Sequence, residues 1–395
     1  MTPDSPPVVS ALLAVNTGSS SVKLALYGND PRLTELCRIS VERIGEPSSR
    51  LRLSRSHGEM DLNEPIDARD HRTALLAALD YAHSFGFVVE AVGHRVVHGG
   101  ESHAFPERLT APLLADLRRL TKIDPDHMPQ ALEAMDAMAR RFPAVPQVAC
   151  FDTTFHRTMP MLAQRYPLPP WTAAAGVRRY GFHGLSCEYI VSALAQIEPD
   201  TLGGRLLIAH LGNGASVTAV HQGVSVETTM GFSPTGGLMM GTRSGDLDPT
   251  VLTYLARTGH SDVDALHRLV NDESGLLGVS GVSGDVRDLL GQPDTSPATA
   301  AVELFCYTAR KHIGALAAVL DGVDTIVFTG GIGEHAPPVR DRICLGLHHL
   351  GVELDPQQNA ANQEVISTAG SRVLVRVIAT DEELVIARHV RHLLA

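Results

Sequence analysis

The sequence predicts an α/β protein of two lobes, and three observations carry that expectation. β-prone runs occur at 8–15, 206–209 and 325–328, and each ends in a short polar turn rich in glycine. The first two turns lead directly into another β-prone run, at 22–27 and 215–220, so one strand, turn and strand layout occurs twice and points to duplicated lobes. With 395 residues, 44% of them hydrophobic, the chain has apolar material for two cores of ordinary size.

Taken in order, the run 8–15 reads as a buried strand. Asp4 stands where a signal peptide would be basic, and the run stops at Asn16 and Gly18. The turn from Asn16 through Ser21 is too polar for a core, and 22–27 returns antiparallel. Residues 32–70 give a mixed signal interrupted by Gly and Pro, with no defined element. A helix is expected at 74–81, a strand at 88–97 ending in His98-Gly99-Gly100, and helices at 113–120 and 131–141. Pro143 and Pro146 bracket a connector into the apolar run 148–151. The lobe boundary is placed here, the first lobe taking 1–150 and the second 151–383. The run 325–328 turns at Thr329-Gly330-Gly331-Ile332-Gly333 and continues as a helix with Pro337 and Pro338 in its first turn. A last strand at 373–379 meets Thr380-Asp381-Glu382-Glu383. Residues 384–395 then form a terminal helix whose start is acidic, as its dipole favours, and which packs back on the first lobe.

Composition excludes several function classes. The net charge of −11 comes from dispersed Asp and Glu, and no Lys/Arg run offers a footprint for nucleic acid or an anionic membrane. No stretch reaches the ~20 apolar residues that span a bilayer. Cys37, Cys150, Cys187, Cys306 and Cys344 are scattered and form no CxxC, so a reduced cytosol is expected.

Glycine-rich turns let backbone N–H groups approach phosphate without a Cβ in the way. None of the three matches GxxxxGK[ST], and none is a GxGxxG before a helix with an acidic residue about 20 positions on, so P-loop and dinucleotide fingerprints are absent. Asn16, Ser19, Ser21 and Lys23 place an amide, two hydroxyls and an ammonium in one hairpin, a donor set suited to terminal phosphates and a metal-bound water. Lysine is rare here, Lys122 and Lys311 being the others, which makes Lys23 notable. Arg95 ends an apolar strand, where a guanidinium either grips a carboxylate bidentately or forms a surface ion pair. His94 and His98, four apart on a strand, do not converge on a metal as they would on a helix. Arg243 lies in a long Gly/Thr/Ser-rich loop starting near Glu227, a length usually tied to function. His183 either donates to a phosphoryl oxygen or is a satisfied structural histidine. Asp152 either steers a nucleophile or caps the next turn.

These segments, in this order, resemble the acetate kinase family, short-chain fatty acid kinases of the actin-like ATPase superfamily, along nearly the whole chain. The most specific pieces are Val15-Asn16-Thr17-Gly18-Ser19-Ser20-Ser21-Val22-Lys23 and Gly93-His94-Arg95-Val96-Val97-His98-Gly99-Gly100. The resemblance implies a two-lobed actin-like, ribonuclease H-like fold with a duplicated βββαβαβα core and a central cleft. It also implies ATP and Mg2+ as cofactors, a cytoplasmic homodimer formed through the second lobe, and acid binding in the first. By position, Asn16 and Glu382 would hold the magnesium, and Lys23 with Ser19 and Ser21 would contact phosphate. His210, Leu211, Gly212, Asn213 and Gly214 would cradle phosphates. Asp285, Val286, Arg287, Gly331, Ile332, Gly333, Glu334 and His335 would line the adenosine site. Arg95 would bind the acid's carboxylate and Asp152 would be the catalytic acidic residue. His183 and Arg243 would stabilise the transferring phosphoryl group, and Val97, Leu120, Phe182 and Pro234 would form the apolar wall.

The chain departs from the family pattern at three places. Ile123-Asp124-Pro125-Asp126-His127-Met128-Pro129 stands where the family has Leu-His-Asn-Pro, Thr235-Gly236-Gly237 follows Pro234, and His335 replaces an asparagine. The first two put the identity of the acid in question between acetate and propionate. The rival readings are an actin-like kinase acting on a sugar or other alcohol, and a non-catalytic ATP-binding switch.

Overall fold

The structure is a computed structural model that describes residues 9–18, 20–55, 59–259, 262–293 and 296–394. These fall into two units, one taking the described residues of Met1–Thr154 and Asp381–Ala395, the other Phe155–Thr380.

The first unit is built on eight strands: β1 (Ser10–Thr17), β2 (Ser21–Gly28), β3 (Glu35–Glu42), β4 (Arg50–Arg55), β5 (Glu59–Pro65), β6 (Val88–Val96), β7 (Glu107–Arg108) and β8 (Gln147–Phe151). Their order is β5-β4-β3-β2-β1-β6-β8-β7. β1 to β5 form an antiparallel meander, while β6 runs parallel to β1 and β8 parallel to β6. Three of these strands, β3, β4 and β5, occupy the stretch where the sequence showed no defined element. Strands such as β4, Arg50-Leu51-Arg52-Leu53, bury alternate residues only, so they lack the continuous apolar run that marks a central strand.

The period-2 alternation of β1 and β2 separates two faces. Leu13, Val15, Val22, Leu24 and Leu26 join a core with α1 (His71–Ser84), which Asp70 caps by accepting from the Thr73 N–H at 2.7 Å. α2 (Ala111–Leu120) and α3 (Met128–Arg141) close a second cluster around Val96, Leu117, Met135 and Phe151. The terminal helix Glu382–Leu394 lies against β1, β2, β6 and β8 on the opposite face. Gly93 makes that approach possible, because a Cβ there would stand 2.3 Å from Ile386 Cγ2 and 2.6 Å from Val390 Cγ2. The first glycine of the 93–100 motif is thus a packing requirement.

The second unit carries β9 (Arg205–Leu211), β10 (Ala215–His221), β11 (Val224–Thr228), β12 (Thr325–Thr329) and β13 (Leu374–Val377), ordered β11-β10-β9-β12-β13. Three antiparallel strands followed by two parallel ones repeat the order β3-β2-β1-β6-β8 of the first unit. The duplication seen in the sequence is therefore a duplication of sheet topology. α4 (Gly184–Ile197) packs Cys187, Ile190 and Leu194 on Leu206, Ile208 and Val327, and α5 (Pro297–Val319) lies along β10. The turn expected at 329–333 is instead the start of a short helix, α6 (Gly330–His335), with α7 (Pro337–Cys344) following. Gly330, at φ +76°, makes the change of direction, and the Glu334 carboxylate accepts from its N–H at 2.8 Å. Among the described residues, no helix is long and apolar enough to cross a membrane, and the five cysteines are buried and free of disulfides.

Candidate active site

In sheets of this order, ligands bind outside the carboxyl ends of the strands, where the order reverses. In the first unit that place is the end of β1, β6 and β8, and Asn16, Arg95 and Asp152 stand there. Asp152 follows the last residue of β8 and is 0% exposed. Arg95 donates to Asp152 Oδ2 from Nε at 3.0 Å and from Nη2 at 2.5 Å, and Nη1 lies 3.3 Å from Asn16 Oδ1. The guanidinium therefore belongs to a buried ion pair, which excludes the surface-pair reading. Asp152 Oδ1 is buried and has no hydrogen-bond partner among the described residues. Burial lifts the Asp152 carboxyl above its ordinary range against the pull of Arg95. For Arg95, burial opposes the charge, and Asp152 and Glu382 more than offset it.

Asn16 Nδ2 donates to Glu382 at 2.9 Å and to Glu383 at 2.7 Å, so the first turn is tied to the start of the terminal helix. Lys23 faces Asn16 across the hairpin and reaches solvent. Glu383 most strongly, and then Glu382, raise its pKa against the cost of burial. Ser21 closes the turn by accepting from Gly18 N–H at 2.8 Å through its backbone carbonyl, and Ser19 lies outside the described residues. Val97 is buried beyond β6, and Leu120 lies where a Cβ on Gly100 would touch it at 3.0 Å. In the first departure from the family pattern, Asp124 and His127 are both buried and paired, Nδ1 to Oδ1 at 2.9 Å.

In the second unit the candidates gather at the carboxyl ends of β9 and β12. His183 precedes α4 in the left-handed region at φ 59°, and its Nδ1 lies 3.0 Å from Ser216 Oγ. Its ring stacks on His210 with centroids 4.1 Å apart, and His210 Nδ1 is 2.8 Å from Ser186 Oγ. With Nδ1 occupied, Nε2 of His183 faces the turn 212–214: a Cβ on Gly214 would sit 3.2 Å from it and 3.5 Å from Arg243 Nη1. Gly212 and Gly214 close that turn on each other, and Asn213 accepts from Gly241 N–H at 3.0 Å through its backbone carbonyl. A Cβ on Gly241 would meet the Asn213 side chain, so the loop bearing Arg243 is shaped around the turn. Arg243 Nη1 also donates to Pro234 O at 3.2 Å. Phe182 is buried, its carbonyl accepting from His156 Nε2 at 2.8 Å.

The residues expected at the adenosine site divide. Asp285 caps the helix Val286–Leu290 and pairs with Arg287 at 2.6 Å, while the Val286 side chain is buried and presents no surface. Gly331 and His335 are exposed, and Ile332 is half-buried. Gly333 packs on β12, and Glu334 spends one carboxylate oxygen on the N–H groups of Gly330 and Thr380.

Residues 11–388 match the sequence model of the Acetokinase family. The chain belongs to the acetokinase family. An acetate kinase of Methylocella silvestris is 44% identical, over 97% of this chain and 98% of its own. A propionate kinase of Citrobacter rodentium is 41% identical over 96% of each. The crystal structure of Porphyromonas gingivalis acetate kinase matches with a TM-score of 0.84 at 37% identity, covering 98% of this chain and all of that one. A propionate kinase structure from Francisella tularensis gives 0.86 at 33%, covering 97% and 99%. As a member of the acetokinase family the protein is a short-chain fatty acid kinase with that family's two-sheet α/β fold, using ATP and a carboxyl acceptor.

Sequence reasoning passed over Ser216, which orients His183, Glu383, which accepts from Asn16, and Arg38 and Tyr27, which bond Glu383 and Asp381 in turn. Glu383 was visible as the neighbour of Glu382. Nothing in the stretch containing Arg38 marked it as part of a site.

Proposed function

We propose that this protein transfers the terminal phosphoryl group of ATP to the carboxylate of acetate or propionate, reversibly giving acyl phosphate and ADP. The observation that carries the reading is the buried Arg95–Asp152 pair at the strand ends of the first unit, held beside Asn16. The first unit binds the acid, with Arg95 as its cationic anchor and Val97 and Leu120 as apolar surface. The second binds the nucleotide, and its apolar candidates are Phe182 and Pro234.

A carboxylate is already ionised at pH 7, so the enzyme has no strong base to provide, and positioning with charge stabilisation supplies the rate. Asp152 holds Arg95 in place and orients the acid. His183, fixed through Ser216, and Arg243 donate to the equatorial oxygens of the transferring group, and the turn 210–214 supplies backbone N–H groups. Lys23 meets the phosphates from the first hairpin, with Ser19 and Ser21.

Asn16 Oδ1 and Glu382 offer hard oxygen donors, and no trio of His, Cys, Asp or Glu among the described residues forms a complete cage. That set suits magnesium, which keeps waters and phosphate oxygens as ligands. Bound there, magnesium would neutralise phosphate charge. A homodimer formed through the second unit rests on the family resemblance, and Trp171, Tyr254, Val263 and Tyr307 are exposed large side chains on that unit. The buried reduced cysteines support a cytoplasmic setting.

The test is hydroxylamine trapping of acyl phosphate with ATP, magnesium and equal concentrations of acetate, propionate or butyrate, against a no-acid control. Hydroxamate with acetate or propionate is the expected result. Nucleotide binding without hydroxamate from any acid would refute the reading.

A further inference from the structure

Asn16 can serve a cation or its water only through Oδ1, since its Nδ2 is a donor. Its side-chain amide is therefore useful in one of two orientations, related by a flip. The neighbours select one. Nδ2 faces two carboxylates, Glu382 at 2.9 Å and Glu383 at 2.7 Å, while Oδ1 accepts from Arg95 Nη1 at 3.3 Å, so a flipped amide would set its oxygen against both carboxylates and its NH2 against a guanidinium. Glu383 is 3% exposed and lies on the terminal helix beside Glu382 and Asp381, so three acidic groups crowd one helix start. They would repel one another unless a cation held them.

Lys23 and Arg95 both feel Glu382 and Glu383, and Arg38, on β3, is the cation among the described residues that hydrogen-bonds Glu383 directly. Its Nη1 donates to Glu383 Oε2 at 2.6 Å, and its Nη2 reaches Glu35 at 2.7 Å, Asp381 at 3.0 Å and the Tyr27 hydroxyl at 3.2 Å. The Tyr27 hydroxyl in turn donates to Asp381 at 3.1 Å. One guanidinium thus anchors the start of a chain running from Arg38 through Glu383 to Asn16 Nδ2.

We propose that Arg38 is a positioning residue, acting through Glu383 to hold the Asn16 amide with its oxygen turned toward the metal. This rests on the reading of Asn16 and Glu382 as metal-holding groups. A partner bonded directly to a metal-holding residue, as Glu383 is to Asn16, typically changes metal affinity 10–100-fold when replaced, and Arg38 stands one bond further out.

The experiment measures Mn2+ binding to the ADP complex by electron paramagnetic resonance, alongside steady-state kinetics, for wild type and Arg38→Met, Arg38→Lys and Asn16→Ala. Arg38→Met should weaken Mn2+ binding by up to about tenfold, the lower edge of the range for a direct partner, and raise the magnesium concentration for half-maximal rate in proportion. The KM for the acid should stay within about twofold. Arg38→Lys, which keeps the charge and one bond to Glu383, should recover part of the affinity, and it also serves if the methionine variant folds poorly. Unchanged Mn2+ affinity in the Arg38 variants, with affinity lost in Asn16→Ala, overturns the positioning role and leaves the metal reading intact. Unchanged affinity in Asn16→Ala overturns the metal reading and this inference with it.

Discussion

Replacing Arg95 by alanine should damage stability and acid binding together, with a pH signature that separates the two. Both hydrogen bonds that Arg95 gives Asp152 fall on Oδ2, and Oδ1 has no partner among the described residues. In the variant a carboxylate of 0% exposure is left with no donor. Breaking a buried pair in this way costs about 3–5 kcal/mol. The folded-state pKa of Asp152 then moves further above its unfolded value of about 3.9, so the folded protein binds the proton more readily than the unfolded one. The penalty relative to wild type is therefore full at pH 7–8 and shrinks as pH falls through the raised value. Urea unfolding at pH 8, 7, 6 and 5 reads the difference, and adding Asp152→Asn should recover much of the loss. The same Arg95 variant should raise the KM for the acid about 100-fold or more while the KM for ATP stays near wild type, as expected for a lost charge-assisted anchor. A cost below about 1 kcal/mol that does not vary with pH would refute the buried-pair reasoning. An unchanged KM for the acid would remove Arg95 from the acid site.

Other consequences follow from the same geometry. His183→Gln should lower kcat about 10²–10³-fold with little change in the KM for the acid, read by the hydroxamate assay, because it removes one preorganised donor. Gly93→Ala should cost about 1–3 kcal/mol in urea unfolding through overlap with Ile386, and Ile386→Ala should relieve part of it. His94 and His156 are buried and held neutral, burial lowering each to about 4 from the ordinary 6.5. The unfolded chain takes these protons first, so stability is present above pH 6.5 and is lost as pH falls toward 4. The loss is about 3 kcal/mol per histidine at most, and a His94→Gln/His156→Gln variant should show a flatter urea midpoint between pH 6.5 and 4.

The parts of the fold legible in the sequence are those where local signal and burial agree. β1, β2, β6 and β12 are nearly continuous apolar runs, and the polar turns between strands announce themselves. β3 to β5 escape because their residues alternate and their partners lie in the rest of the meander. The short helix at Gly330 reads as a turn because glycines open it and because Thr329, at the cap position, makes no side-chain cap bond, the Gly330 N–H being met by Glu334 four residues ahead. Within the site, the residue types that bear chemistry stand out, whereas the groups that aim them do not. Ser216 is one small polar residue in a strand, and Arg38 is one arginine among many. Their meaning comes only from strand register, which sets Ser216 opposite His210 and Arg38 opposite Ala25.

The seating of the terminal helix on β1 and β6 has a consequence for how the protein is made. Asn16 and Glu382 are 366 positions apart, so at ordinary translation rates the hairpin waits about 20–70 s for its partner to leave the ribosome. By then every residue of the second unit has been synthesised, and that unit is free to fold first although it comes later in the chain. Meanwhile the bare face around Gly93, shaped for Ile386 and Val390, is an apolar surface open to chaperones or to another nascent chain.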